Sequence, residues 1–470
     1  MKSFHLFRRG GTSFVYHVSA GRFIRVDPAA FEYLNLRSAM PPAEALEKFS
    51  AAYPGRKDVI ADCDKLEAEG FFDNAPSSFP DDGRFIAEYE KRFNGKCNNL
   101  VLSVASGCNL ACRYCYCGVC RDELPDEGLM SEETAMAAVE KFLAAADPEK
   151  GIRVTFFGGE PLLNKNVIRR VVERCNGWAA ENGVRAGYSI TTNATLIDDE
   201  TAKLIADNNF GLLVSLDGPQ ELHDRQCPDR AGNGSFERAA AGIKRLMKFR
   251  RNITVRCTMA HPAPDAMKLV RFFKDFGFTR IILGTVSNPA FPSDADFTDD
   301  DHQVFELALE NELIPWMVEE RKAGREPAYD PFDEINAFQC ERTHSDSACA
   351  LRCGACHGAR TVAPDGTVYP CHRFVGMKAW AIGSLQDGID EKKCRDFWLR
   401  HRAASKAACA DCWAHRICGG PCPWEIARSD GTFTAPGRVC RETKTWIEQG
   451  AFYMDQAEQA GLNKTQGEIK

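Results

Sequence analysis

From residue 98 to residue 324 the chain repeats one unit six times: a short apolar run, then a longer stretch with helical spacing. The runs are LVLSVAS (100–106), IRVTFF (152–157), GYSITT (187–192), GLLVSL (211–216), NITVRCTM (252–259) and RIILGT (280–285). Between them lie segments such as SEETAMAAVEKFLAAA, NKNVIRRVVERCNGWAAEN and FERAAAGIKRLMKF, whose apolar residues recur every three or four positions. Apolar strands alternating with helices suit a parallel sheet buried on both faces. Six β/α units are too few to close the usual eight-stranded barrel, so an open, partial (β/α)6 TIM-like barrel is expected. Its mouth should lie at the C-terminal strand ends, where barrel enzymes place their chemistry.

Composition bounds the rest. A chain of 470 residues exceeds one ordinary core and suggests about three domains. Net charge is −7, with Lys and Arg dispersed, so nucleic acid is not an expected partner. No stretch of 18 uninterrupted apolar residues could span a bilayer and MKSFHLFRRGG lacks an apolar h-region, so a cytoplasmic protein without membrane contact is expected. Of 21 cysteines, eleven lie between Cys340 and Cys440 and five between Cys108 and Cys120. Such clustering in a large chain argues for metal or catalysis rather than crosslinks.

The first apolar run delivers Cys108-Asn-Leu-Ala-Cys112-Arg-Tyr-Cys115 to the barrel mouth. A 4Fe-4S cube normally takes four thiolates; three leave one iron open to a small molecule bound through nitrogen and oxygen. A zinc knuckle or a set of buried thiols would be the plainer uses of the same residues. The triplet resembles that of the radical S-adenosylmethionine (SAM) superfamily. The resemblance implies that the open iron chelates the methionine end of SAM. It also implies reductive cleavage to a 5′-deoxyadenosyl radical that abstracts hydrogen.

Roles for further residues follow from the same resemblance. Tyr114 stands where the family places an aromatic near adenine, and Gly158-Gly159-Glu160-Pro161, roughly forty residues on, is assigned to the cofactor's amino group. Glycines at such a turn let backbone approach a ligand closely. Thr191 and Asn193 after the third strand and Ser215 after the fourth would line the ribose and methionine-carboxylate end, with Arg238 joining Ser215 there. Asp217, at the mouth, is the candidate catalytic base, although strand-end carboxylates also hold turns. His223-Asp224-Arg225-Gln226-Cys227-Pro228 departs from the family's H-D-x-x-R-P by placing a cysteine where arginine is expected. Cys117 and Cys120 trail the triplet as redox-active, substrate-facing or merely buried thiols, and His372 and His415 receive a structural reading.

In the tail, Cys353, Cys356 and Cys371 are followed by Cys409-x-x-Cys412, Cys418, Cys422 and Cys440. Paired C-x-x-C elements alone would suit zinc. Beside the triplet, the pattern resembles the cysteine-rich SPASM extension, which implies two auxiliary 4Fe-4S clusters and three in all. Cys353, Cys356, Cys371 and Cys422 would hold the first, and Cys409, Cys412, Cys418 and Cys440 the second. Many relatives read Cys-Gly-Ala-Gly where this chain has Cys353-Gly354-Ala355-Cys356, and Cys349 is a spare ligand.

Residues 1–76 read as three short strands (4–9, 13–18, 21–26) followed by three helices, the first capped by Asp27. This resembles the winged-helix, PqqD-like α+β element that grips leader peptides by strand addition. The expected organisation is thus recognition domain 1–76, linker and helix 77–97, barrel 98–324, connector 325–348, SPASM domain 349–450 and tail 451–470. The run Tyr369-Pro-Cys371-His372-Arg373-Phe374-Val375-Gly376 looks like thioether-forming peptide maturases of the kind that mature quinohemoprotein amine dehydrogenase. The expected function is therefore an intrapeptide thioether between a cysteine sulfur and a carbon of an acceptor residue, Asp or Glu by the closest likeness. The partners would be a ribosomally made peptide or small Cys-containing subunit, and an electron donor such as flavodoxin or ferredoxin. The alternatives are formylglycine formation in a sulfatase, carbon–carbon crosslinking, or a zinc-stabilised peptide-binding scaffold.

Overall fold

The computed structural model describes residues 3–75, 77, 79–92, 97–119, 128–287, 292–332 and 353–462; Cys120, Cys349 and most of the 325–348 connector lie outside them. Six strands run in parallel in chain order: β4 (Asn99–Ala105), β5 (Ile152–Gly158), β6 (Ala186–Thr192), β7 (Gly211–Ser215), β8 (Thr254–Met259) and β9 (Arg280–Thr285). Helices separate them, and their apolar stripes bury residues such as Val139, Val171, Ile205, Ile243 and Val270 against the sheet. This is the open parallel barrel that the alternation implies.

Two features exceed the sequence reading. Short tail strands β10 (Thr361–Val362), β11 (Thr367–Tyr369), β12 (Gly383–Ser384) and β13 (Gly388–Ile389) extend the same sheet, with β10 pairing in parallel with β4. The cysteine-rich tail is therefore hydrogen-bonded to the strand that carries the cysteine triplet. Runs of two or three residues are too short to show a strand period.

The amino-terminal strands β1 (Phe4–Arg9), β2 (Thr12–His17) and β3 (Arg22–Val26) form an antiparallel sheet in that order. Asp27 caps the next helix, Pro28–Ala39, accepting from the backbone N–H of Ala29 and Ala30. Strand β2 is buried on both faces: Val15 packs with Tyr33, Phe49 and Val59, whereas Phe14 and Tyr16 join the main core. Arg9 fastens the sheet to the barrel side, reaching Glu448 at 2.6 Å and Glu306 and Glu310 at 3.4 Å. His5 stacks on Trp413 of the tail at 3.9 Å.

Candidate active site

The strand ends surround a cavity of about 290 Å³. Cys108, Cys112, Tyr114, Cys115, Gly158, Gly159, Glu160, Thr191, Asn193, Ser215 and Asp217 all line it, as the motif reading requires. Strand ends β4 and β5 meet here because glycine permits it: Gly158 has φ +135°, and a Cβ there would lie 2.1 Å from the Ala105 carbonyl oxygen. Backbone N–H groups of Gly159 and Glu160 donate to the carbonyls of Ala105 and Gly107.

The Glu160 carboxylate is fully buried and faces inward to the protein. It accepts from Leu162 N at 3.0 Å, Thr192 Oγ1 at 2.7 Å and Asn193 N at 2.8 Å, and burial raises its pKa. Its side chain braces the β5 and β6 tips, which leaves the Gly158–Pro161 backbone as the part free to meet a cofactor amino group. Asn193 in turn ties down the cysteine loop, donating to Asn109 Oδ1 at 3.0 Å and to Cys108 Sγ at 3.7 Å.

Asp217 is buried, and burial lifts its carboxyl to about 6. It accepts from Tyr114 Oη at 2.7 Å and from Thr258 N at 2.9 Å. These bonds make it a bracket joining the cysteine loop to β8, in place of the free base expected from its position. Pro161 is buried at the start of a 3₁₀ turn and does not line the cavity.

Three further expectations need correction. Arg238 is half exposed and pairs with Asp229 at 2.9 Å, away from the cavity wall. On its helix the buried stripe is Ala239, Ala240, Gly242, Ile243 and Leu246, so position 238 faces outward. Cys112 is paired with Cys227 in a disulfide, whereas Cys108 and Cys115 are in none. Cys227 sits opposite because its segment is zipped to the cysteine loop: Ala111 N donates to Pro228 O, and Arg113 N to Gln226 O. Thus the His223–Pro228 run, whose role the sequence left in doubt, clamps the loop. All three triplet sulfurs border one cavity, so the donor set suits a 4Fe-4S cube once Cys112 is reduced.

Cys356 is the third correction. It is fully buried at φ +61°, a conformation glycine favours, and its thiol hydrogen-bonds Cys394. Cys422 raises the thiol pKa of Cys353, Cys353 and Cys422 raise that of Cys371, and Cys412 and Cys418 raise those of Cys409 and Cys440. The four cysteines of the second auxiliary set are thus neighbours, and in the first set Cys356, although hydrogen-bonded to Cys394, is also within electrostatic range of Cys371. A second cavity of about 220 Å³ has Cys353, Cys409 and Cys422 in its wall.

The tail also supplies the cavity's outer side. His372, Arg373 and Trp424 line it beside Tyr116, Arg256 and Ser287. Arg373 pairs with Glu425 at 2.8 Å, and Ser287 Oγ donates to the other Glu425 oxygen at 2.6 Å. His372 packs on Phe157 at 4.2 Å. The sequence reading gave His372 only a structural place and missed Arg256 altogether, since nothing local links β8 to residues more than a hundred positions later. Cys117 is also on this wall.

Residues 102–284 match the family model of the radical SAM superfamily. The barrel is a radical SAM domain. SAM and 4Fe-4S clusters are the cofactors of such a domain. The cysteine-type anaerobic sulfatase-maturating enzyme of Clostridium perfringens (strain 13 / Type A) is 26% identical over 333 residues, 69% of this chain and 88% of that protein. Among solved structures, native anSMEcpe with bound AdoMet and Cp18Cys peptide superposes with a TM-score of 0.61 at 22% identity, covering 78% of this chain and 99% of that one. Streptococcus suis SuiB bound to S-adenosylmethionine gives a TM-score of 0.52 at 16% identity, covering 93% and 99%. Both structures speak for the fold of the radical SAM domain and its extensions. No helix among the described residues is long and apolar enough to cross a membrane.

Proposed function

We propose that this chain is a radical SAM enzyme that removes two electrons from a side chain of a peptide. The observation that carries the reading is a cavity with the cysteine triplet and the Gly158–Glu160 turn on one side and the cysteine-rich tail on the other. When bound, the cofactors supply a 5′-deoxyadenosyl radical that takes a hydrogen atom from the substrate carbon. The protein holds the cysteine loop through Asn193, Asp217 and the 226–228 clamp, and its tail walls the cavity. The gathered tail thiolates suit clusters that accept the second electron, which an external one-electron carrier would remove.

Formylglycine formation at a cysteine or serine is the outcome favoured by the relationship to a sulfatase-maturating enzyme over 69% of the chain. It displaces the thioether expectation to second place. The thioether reading retains one specific support, the amino-terminal sheet: β3 has a free edge among the described residues and suits capture of a leader peptide by strand addition.

The test is anaerobic incubation of reconstituted enzyme with SAM, a reductant and cysteine-bearing peptides. Formylglycine formation would remove the sulfur and create a hydrazine-reactive aldehyde. A thioether would retain the sulfur, remove two hydrogens and abolish the free thiol. Release of 5′-deoxyadenosine with every peptide unaltered would refute the peptide reading.

A further inference from the structure

We infer that Arg256 forms a carboxylate-binding site on the tail side of the reaction cavity, one that receives an acidic side chain of the peptide. The inference rests on the peptide reading above and names a chemical feature of the substrate. Arg256 lies within β8 and borders the cavity. Its guanidinium lies against Gly284 of β9, where a Cβ would come within 2.8 Å of Nη2; glycine there leaves the room the side chain occupies.

Arg256 is half-buried, and no hydrogen bond or ion pair joins its side chain to any described residue. Arg373, by contrast, is paired with Glu425. Leaving a buried charge unpaired is expensive. The carboxylates nearby make their short contacts elsewhere: Glu425 with Arg373 and Ser287, and Asp217 with Tyr114 and Thr258, so that Asp217 feels the Arg256 charge only at longer range. Arg373 adds a second positive charge within electrostatic range. This side of the cavity therefore carries a cationic residue in its wall, and a guanidinium fork matches a carboxylate with two parallel hydrogen bonds.

The methionine carboxylate of SAM is the other source of the same chemistry. Its expected anchors include Ser215 on β7, and Arg256 is the register partner of Ser215 on β8, with tail residue Arg373 as a further neighbour. The tail guanidinium, which comes from outside the barrel, favours the peptide, and SAM binding is the arm of the test that separates the two sources.

The test compares wild type with Arg256→Gln and Arg256→Lys, each checked for iron content so that a misfolded variant is recognised. The probes are synthetic decapeptides carrying one cysteine and a nearby Asp or Glu, with Asn and Gln counterparts. Wild type should process the acidic member about 10- to 100-fold better in kcat/KM. Arg256→Gln should bring that ratio close to one, and Arg256→Lys should retain part of it. Peptides modified by wild type without acidic preference would overturn the inference and leave the peptide reading standing. A tenfold loss of SAM affinity in Arg256→Gln without peptide would assign the residue to the cofactor and equally overturn it. SAM cleavage with no peptide modified would defeat the peptide reading and this inference together.

Discussion

His223 holds its place only as a neutral ring. Its Nδ1 accepts from the Asp217 backbone N–H at 3.2 Å, which leaves Nε2 to donate to Ser235 Oγ at 3.0 Å, and burial pushes its pKa down to about 4. A proton on Nδ1 would set two donors face to face. The unfolded chain takes up that proton near the ordinary 6.5, so stability is full above that value and declines as pH falls towards 4. The loss approaches about 3 kcal/mol for a shift of this size. Urea denaturation from pH 7 to pH 4 should show wild type losing this amount relative to His223→Gln, and parallel curves would refute it. The histidine and its motif were legible in the sequence, but not their purpose, because clamping the cysteine loop depends on backbone pairing across more than a hundred residues. Arg238 shows the opposite failure: an arginine near a site in sequence can still face solvent on its own helix.

At the scale of elements, the site depends on how closely the β4 and β5 tips approach. Gly158→Ala would put a methyl onto the Ala105 carbonyl and force a φ of +135° on a residue with a side chain. It should destabilise the fold by about 2–4 kcal/mol and abolish SAM binding, as measured by denaturation and by equilibrium dialysis of labelled SAM. Near-normal affinity would show that the tips tolerate separation. Short apolar-rich strands alternating with amphipathic helices made the barrel readable, and cysteine spacing pointed to the clusters. The tail strands were not, and neither was the turning of Cys356 towards Cys394, which depends on a backbone conformation that the residue type itself disfavours.

Across the whole molecule, the amino-terminal sheet is built into the main core through Phe7, Phe14 and Tyr16. Removing residues 1–76 would therefore uncover apolar surface, and a lost activity would not by itself report on leader binding. A point change is cleaner. Ile24, exposed on the edge strand β3, can become Asp without disturbing that core; leader-dependent turnover should fall while turnover of a leaderless peptide stays the same. Arg9→Ala, which leaves Glu306, Glu310 and Glu448 facing one another, should cost about 1–3 kcal/mol in denaturation and speed proteolytic cleavage near residue 80.

The pairing of β10 with β4 has a consequence for biosynthesis. Strand β4 emerges early from the ribosome, yet its outer edge waits for residues 361 and 362, some 260 positions later. Until then the nascent barrel carries an open apolar edge of the kind that pairs with other chains. A chain ending at residue 332 should therefore collect in the insoluble fraction even though all six barrel strands are present, and co-expression of the missing tail is the natural remedy to try.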